Sequence, residues 1–138
     1  MRLEHLHLVQ FKNHSGADVS LGPQVNCFLG DNGSGKTNVL DAVHYLCFCK
    51  SYFNPIDAQN IAHGEPFMLI QGDFDRLDTK ERVSCGVQRG AKKQFKRNDK
   101  PYKRLAEHIG RFPAVMIAPD DAELIQGGSE MRRKWMDA

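Results

Sequence analysis

No wholly apolar run in these 138 residues exceeds five, far short of the ~20 that a membrane-spanning helix needs. A helical membrane protein is therefore excluded. The opening residues, MRLEHLHLVQF, thread charges through their apolar positions and show no small-residue cleavage site, so no secretory signal is read there and a cytosolic compartment is expected. Cysteine is scarce: Cys27, Cys47, Cys49 and Cys85 make one C-x-C pair and no C-x-x-C, which points to neither a disulfide framework nor a zinc site. Internal repeats and low-complexity segments are also lacking.

What is present is enough chain for one domain, because a domain of this size buries roughly two-thirds of the surface that its unfolded form exposes. The net charge of +2 is unevenly spread. Residues 76–104 carry eleven Lys and Arg against three acids, a local balance of +8 that leaves −6 for the remainder. A concentrated basic element on an acidic body suggests a polyanion partner.

Apolar spacing supplies the elements. Leu3, His5, His7, Val9 and Phe11 alternate with Leu6 and Leu8 as an opening strand covered on both sides, broken at residues 12–16 and followed by a short return strand at 17–21. Residues 25–29 read as a buried central strand that includes Cys27. Val39, Leu40, Val43, Leu46 and Cys47 recur at helical steps over residues 35–48. One helical turn is expected at 57–62, strands at 67–74 and 82–88, the returning arm of a basic hairpin at 93–97, a short helix at 103–108 and a β-run at 114–117. A final helix is expected from Ser129 to the last residue, with Trp135 and Met136 as core residues. His5 and His7 share a strand face, where packed or edge histidines are the default.

Gly30, Asp31, Asn32, Gly33, Ser34, Gly35, Lys36 and Thr37 match G-x-x-x-x-G-K-[ST] in full, between an expected strand and an expected helix. Each residue type has a task. Glycines let backbone N–H groups turn around phosphate oxygens, and the helix that follows adds its unpaired N–H groups and the positive end of its dipole. Lys36 would reach the β- and γ-phosphates, and the Thr37 hydroxyl would ligate Mg²⁺. Hydrolysis needs a metal-holding carboxylate as well. The local candidates, Asp120 and Asp121 after Pro119, are open to three readings: a Walker B end that holds Mg²⁺, a loop that senses nucleotide, or a helix N-cap.

Leu6 to Asn13 as L-x-L-x-x-F-K-N, Gly30 to Asn38 as G-x-N-G-x-G-K-T-N, Asn98 to Pro101, and APDDAELIQGGSEMRRKWMD from Ala118 together resemble the RecF family of bacterial recombination and repair ATPases. The family is related to the heads of chromosome-maintenance and ABC proteins, and the likeness spans essentially the whole chain. Ala118, Asp120, Ser129 and Trp135 depart mildly from the family pattern. The resemblance implies an α/β P-loop fold, an ATP-binding lobe over residues 1–138 with a mixed sheet around the loop's helix and an added antiparallel hairpin region at 76–104. It implies ATP and Mg²⁺ as ligands, contacts at Gly30 to Asn38 with Lys12 and Asn13 touching the nucleotide, and a role for Pro119 and Asp120 near the γ-phosphate. As partners it implies DNA, a second copy in an ATP-dependent dimer, and recombination-mediator proteins, with recombinase loading at gaps as the outcome. Family members carry the signature motif, the Walker B carboxylates and a helical second lobe in sequence beyond this segment, so this chain alone is expected to hydrolyse little ATP.

Two further readings stay open: a small P-loop kinase using Asp120 or Asp121, and a nucleic-acid-binding module that holds nucleotide without turnover. Lys92, Lys93, Lys96 and Arg97 in the basic hairpin are the candidate DNA contacts. With only Phe95 and Tyr102 nearby for stacking, such binding would follow salt and not sequence.

Overall fold

In the computed structural model, residues 1–121 and residues 129, 130 and 133 are described, Asp120 in its backbone only. Six strands form one sheet in the order β2-β1-β3-β4-β5-β6. They are β1 (Arg2–Phe11), β2 (His14–Ser20), β3 (Phe67–Arg76), β4 (Thr79–Gln88), β5 (Gln94–Arg97) and β6 (Lys100–Pro101), and every pairing is antiparallel. Helix α1 (Lys36–Phe48) lies against the sheet. Short 3-10 turns occupy Asp57–Asn60, Leu105–Glu107 and Pro119–Asp121.

Turn chemistry sets the register. Leu77 and Asp78 join β3 to β4, and Asn98 and Asp99 join β5 to β6; all four have positive φ, the conformation that two-residue hairpin turns require. Asp and Asn accept it at small cost. The basic segment is thus a continuation of the same sheet.

The core lies between α1 and the inner sheet face. Leu6, Leu8, Met68, Ile70, Phe74, Val83 and Cys85 from the strands meet Val39, Ala42, Tyr45 and Leu46 from the helix. Each large apolar side chain buried here contributes about 1.5–3 kcal/mol. Gly72 lets the helix close in: a Cβ there would lie 2.7 Å from Leu46 Cδ1.

Several expectations need correction. Residues 25–29 form no strand, Val25 and Leu29 are 83% and 91% exposed, and Cys27 is exposed rather than buried. Residues 114–117 likewise form no strand, with Val115 at 89% and Ile117 at 85%. A strand is held by ladder bonds to a neighbour, and among the described residues neither segment has one. Phe11 does not share the face of His5, His7 and Val9. Gln10 at φ 52 breaks the alternation, and Phe11 joins Leu6 and Leu8 in the core. The His face is only partly covered, and His7 Nδ1 lies 2.7 Å from Asp18 Oδ1 across the β1–β2 pair. Most of the expected terminal helix, with Trp135 and Met136, lies outside the described residues.

Candidate nucleotide-binding site

The loop from Gly30 to Gly35 leads directly into α1. Gly30, Gly33 and Gly35 have φ of 151°, 82° and 96°, backbone conformations that L side chains rarely adopt. Gly35 is the left-handed N-cap of the helix and uses no side-chain cap, so its first N–H groups depend on the loop and on whatever binds it. The loop and the helix start enclose a cavity of about 310 Å³ lined by Asn32, Gly33, Gly35, Lys36, Thr37 and Asn38.

Lys36 reaches back over the loop. Its Nζ donates to Gly30 O at 2.8 Å and to Asp31 O at 2.7 Å, which places the ammonium at the loop's mouth. Thr37 lies on the cavity wall and is exposed. A cation, a hydroxyl, a helix start and a glycine loop are the donor set that a polyphosphate with Mg²⁺ requires. The residues present fit ATP, with Lys36 and the loop to hold its phosphates and Thr37 to hold the metal.

The turn between β1 and β2 stands behind the loop. Asn13 Nδ2 donates to Gly33 O at 3.0 Å, and Asn13 Oδ1 accepts from Asn38 Nδ2 at 2.7 Å. His14 Nε2 lies 3.1 Å from Gly35 O. Asn13 and Asn38, expected at the nucleotide, therefore spend these amide groups on each other and on the loop backbone. Lys12 Nζ sits 2.6 Å from the fully buried Asp41 Oδ2 and over the rings of Phe11 and Phe53. Asp41 in turn accepts from Ser51 Oγ and from the Tyr52 N–H, each at 2.7 Å.

Asp41 and His14 are the site residues that sequence reasoning missed. Asp41 lies on the apolar side of α1, between Val39 and Tyr45, and a buried acid there demands a partner. His14 directly follows Lys12 and Asn13 but has no local pattern of its own.

Asp120 belongs to the 3-10 turn Pro119–Asp121, and its side chain lies outside the described residues. Asp121 accepts from Ala118 N at 2.6 Å and from Tyr52 Oη at 2.9 Å, and these donors hold its carboxyl below the usual range. Asp121 ends that turn and accepts from the N–H three residues before it, a bond of the capping-box kind and not that of an N-cap.

The basic hairpin divides into two sets. Lys93 Nζ donates to Cys49 O at 2.6 Å and pairs with Asp57 Oδ2 at 2.9 Å, with its side chain 14% exposed. Arg97 pairs with the buried Glu81 at 3.1 Å. Both cations are committed to the fold. Lys92, Lys100, Lys103 and Arg104 are exposed and Lys96 is half-buried. A groove of about 490 Å³ runs between Arg97, Lys100, Tyr102 and Lys103. Burial pushes the Cys47 and Cys49 thiols up to about 11 and the Cys85 thiol higher still, so none is a ready nucleophile.

The model of the AAA domain family matches residues 5–134. The chain belongs to the AAA domain family. Within this P-loop family it is similar to the DNA replication and repair protein RecF of Bacteroides fragilis, 51% identical over 138 residues, and to that of Phocaeicola vulgatus, 53% identical. Each match takes in 99% of this chain and 37% of the relative. The chain thus spans little more than a third of the curated relatives it matches, their N-terminal part. Among solved structures, a RecF–ATP structure, described as a recombination mediator protein in the RecFOR pathway, superposes with a TM-score of 0.87 at 26% identity over 99% of this chain and 37% of that one. An SMC ATPase structure shares the fold with a TM-score of 0.79 at 18% identity, over 99% of this chain and 98% of that one. The AAA domain seen here is therefore the N-terminal lobe of a RecF- and SMC-head-like P-loop fold, with a nucleotide-binding loop.

Proposed function

We propose that this chain is the ATP-binding part of a RecF-like DNA replication and repair protein, which binds DNA in an ATP-dependent way and aids recombinase loading at gaps. The observation that carries the proposal is the loop itself: Lys36 at its mouth, Thr37 on the cavity wall and three glycines at positive φ. Its place in a lobe that superposes on a RecF–ATP structure supports ATP as the ligand. When bound, Mg-ATP supplies charge and binding energy that a partner surface can use.

Gly30 to Thr37 and Asn38 form the phosphate side of the site, and Thr37 holds Mg²⁺, with Asp120 as a further metal candidate. Pairing with a second copy through ATP, and association with recombination-mediator proteins in the cytoplasm, belong to the same proposal. DNA is assigned to the exposed cations Lys92, Lys100, Lys103 and Arg104 and the half-buried Lys96, whose charge would make binding depend on salt and not on sequence.

Duplex and gapped DNA binding by the intact protein, measured with and without Mg-ATP across a salt series, tests this. Tighter binding with Mg-ATP and a linear loss of affinity with log salt are expected. Equal affinity in both conditions, or ATP turnover that requires a small phosphate acceptor, would contradict it.

A further inference from the structure

The β1–β2 turn touches the phosphate loop at Gly33 and Gly35 and the start of α1 at Asn38. A Cβ on Gly35 would lie 2.6 Å from Asn13 Oδ1 and 2.6 Å from His14 Nε2, so the loop and the turn are already in contact there. Two loop carbonyls face this turn: Gly33 O accepts from Asn13 and Gly35 O from His14, at 3.0 and 3.1 Å. Gly35 O also accepts the first helical bond of α1, from Val39 N at 3.1 Å.

A trans peptide unit sends its C=O and the next residue's N–H in opposite directions. Pinning Gly35 O toward His14 therefore aims the N–H of Lys36, a residue that lines the cavity, away from His14. The ring needs its proton on Nε2 for this. The turn is itself anchored: Lys12 N donates to Asn60 O at 2.8 Å, Ala62 N donates to Gln10 O at 2.8 Å, and Lys12 Nζ is held by Asp41.

We propose that His14, with Asn13, is a positioning residue that sets the curvature of the phosphate loop by holding its carbonyls from behind. Neither side chain needs to touch nucleotide to act. The effect falls on phosphate affinity, through the direction of the Lys36 N–H, more than on the stability of the sheet. The proposal rests on the reading of Gly30 to Thr37 as the phosphate site.

The test is the affinity of the intact protein for Mg-ATP, set beside its melting temperature without nucleotide, for wild type, His14→Ala and His14→Gln. Losing one such hydrogen bond is expected to weaken Mg-ATP binding about fivefold in His14→Ala, with little change in melting temperature. His14→Gln places an N–H donor at the same reach and is expected to recover affinity to within about twofold of wild type. Unchanged affinity in His14→Ala would overturn the proposal. So would a large drop in melting temperature or failure to fold, or a weakened affinity that His14→Gln does not restore, since each marks a general structural role. Wild-type protein that bound no Mg-ATP would overturn the phosphate site and this proposal together, an outcome distinct from the others.

Discussion

Lys12 Nζ lies 2.6 Å from Asp41 Oδ2, joining the turn behind the phosphate loop to the helix that the loop opens. Asp41 is fully buried and accepts two further hydrogen bonds, from Ser51 and Tyr52. Removing the acid takes the partner from a cation 15% exposed and removes the carboxylate to which Ser51 Oγ and the Tyr52 N–H donate. Asp41→Ala is expected to cost about 3–5 kcal/mol. Lys12→Ala is expected to cost less, because Ser51 and Tyr52 still satisfy the carboxylate. Urea denaturation of both variants checks the order, and equal losses would show that the Ser51 and Tyr52 bonds contribute little.

Gly35→Ala meets two obstacles at once. The φ of 96° disfavours any side chain, and the new methyl would collide with Asn13 and His14. Loss of Mg-ATP binding is expected, read by titration with a fluorescent ATP analogue.

His108 governs an acid limb of stability. It is fully buried, with Nε2 2.6 Å from Leu46 O and Nδ1 3.0 Å from Tyr102 Oη, and it stacks on Phe112. Burial holds its pKa below the ordinary 6.5, against the Leu46 carbonyl and with Arg111 and Arg97 acting in the same direction as burial. The unfolded chain therefore takes up the proton first. Stability is expected to be full above about pH 6.5 and to fall as pH drops below it. Burial lowers the pKa of the half-buried His44 too, which adds to the same limb. Melting temperature against pH for wild type and His108→Gln checks this: the variant should start lower and show the smaller drop between about pH 7 and pH 5.

The two sets of hairpin cations should separate cleanly. Reversing charge at Lys96, Lys100, Lys103 and Arg104 is expected to reduce the salt slope of DNA binding by nearly one unit for each phosphate that is no longer neutralised. Lys93→Ala is expected to lower the melting temperature instead, by freeing Cys49 O and Asp57, while the salt slope stays the same. An unchanged slope in the four-residue variant would remove this surface from consideration.

What is legible in the sequence is what local pattern encodes. The phosphate loop is a contiguous motif, and α1 follows from apolar residues at helical steps and ends within a residue of expectation. The β3, β4 and β5 segments also follow from alternation and turn residues. Residues 25–29 and 114–117 have a strand's composition and no strand, because strand formation depends on a neighbour that composition does not specify. Lys93 misleads for a similar reason: a run of cations looks like a solvated face, and only the fold brings Asp57 and the Cys49 carbonyl to it. The bonds from Asn13 and His14 to the loop span about twenty residues of sequence, so no spacing rule reveals them.

The most direct test is the melting shift produced by Mg-ATP in wild type and in Lys36→Ala. Lys36 is the cation at the loop's mouth, so the variant is expected to lose the Mg-ATP-dependent shift whatever its melting temperature without nucleotide. A Lys36→Ala protein stabilised by Mg-ATP as much as wild type would contradict the assignment of this loop as the phosphate site.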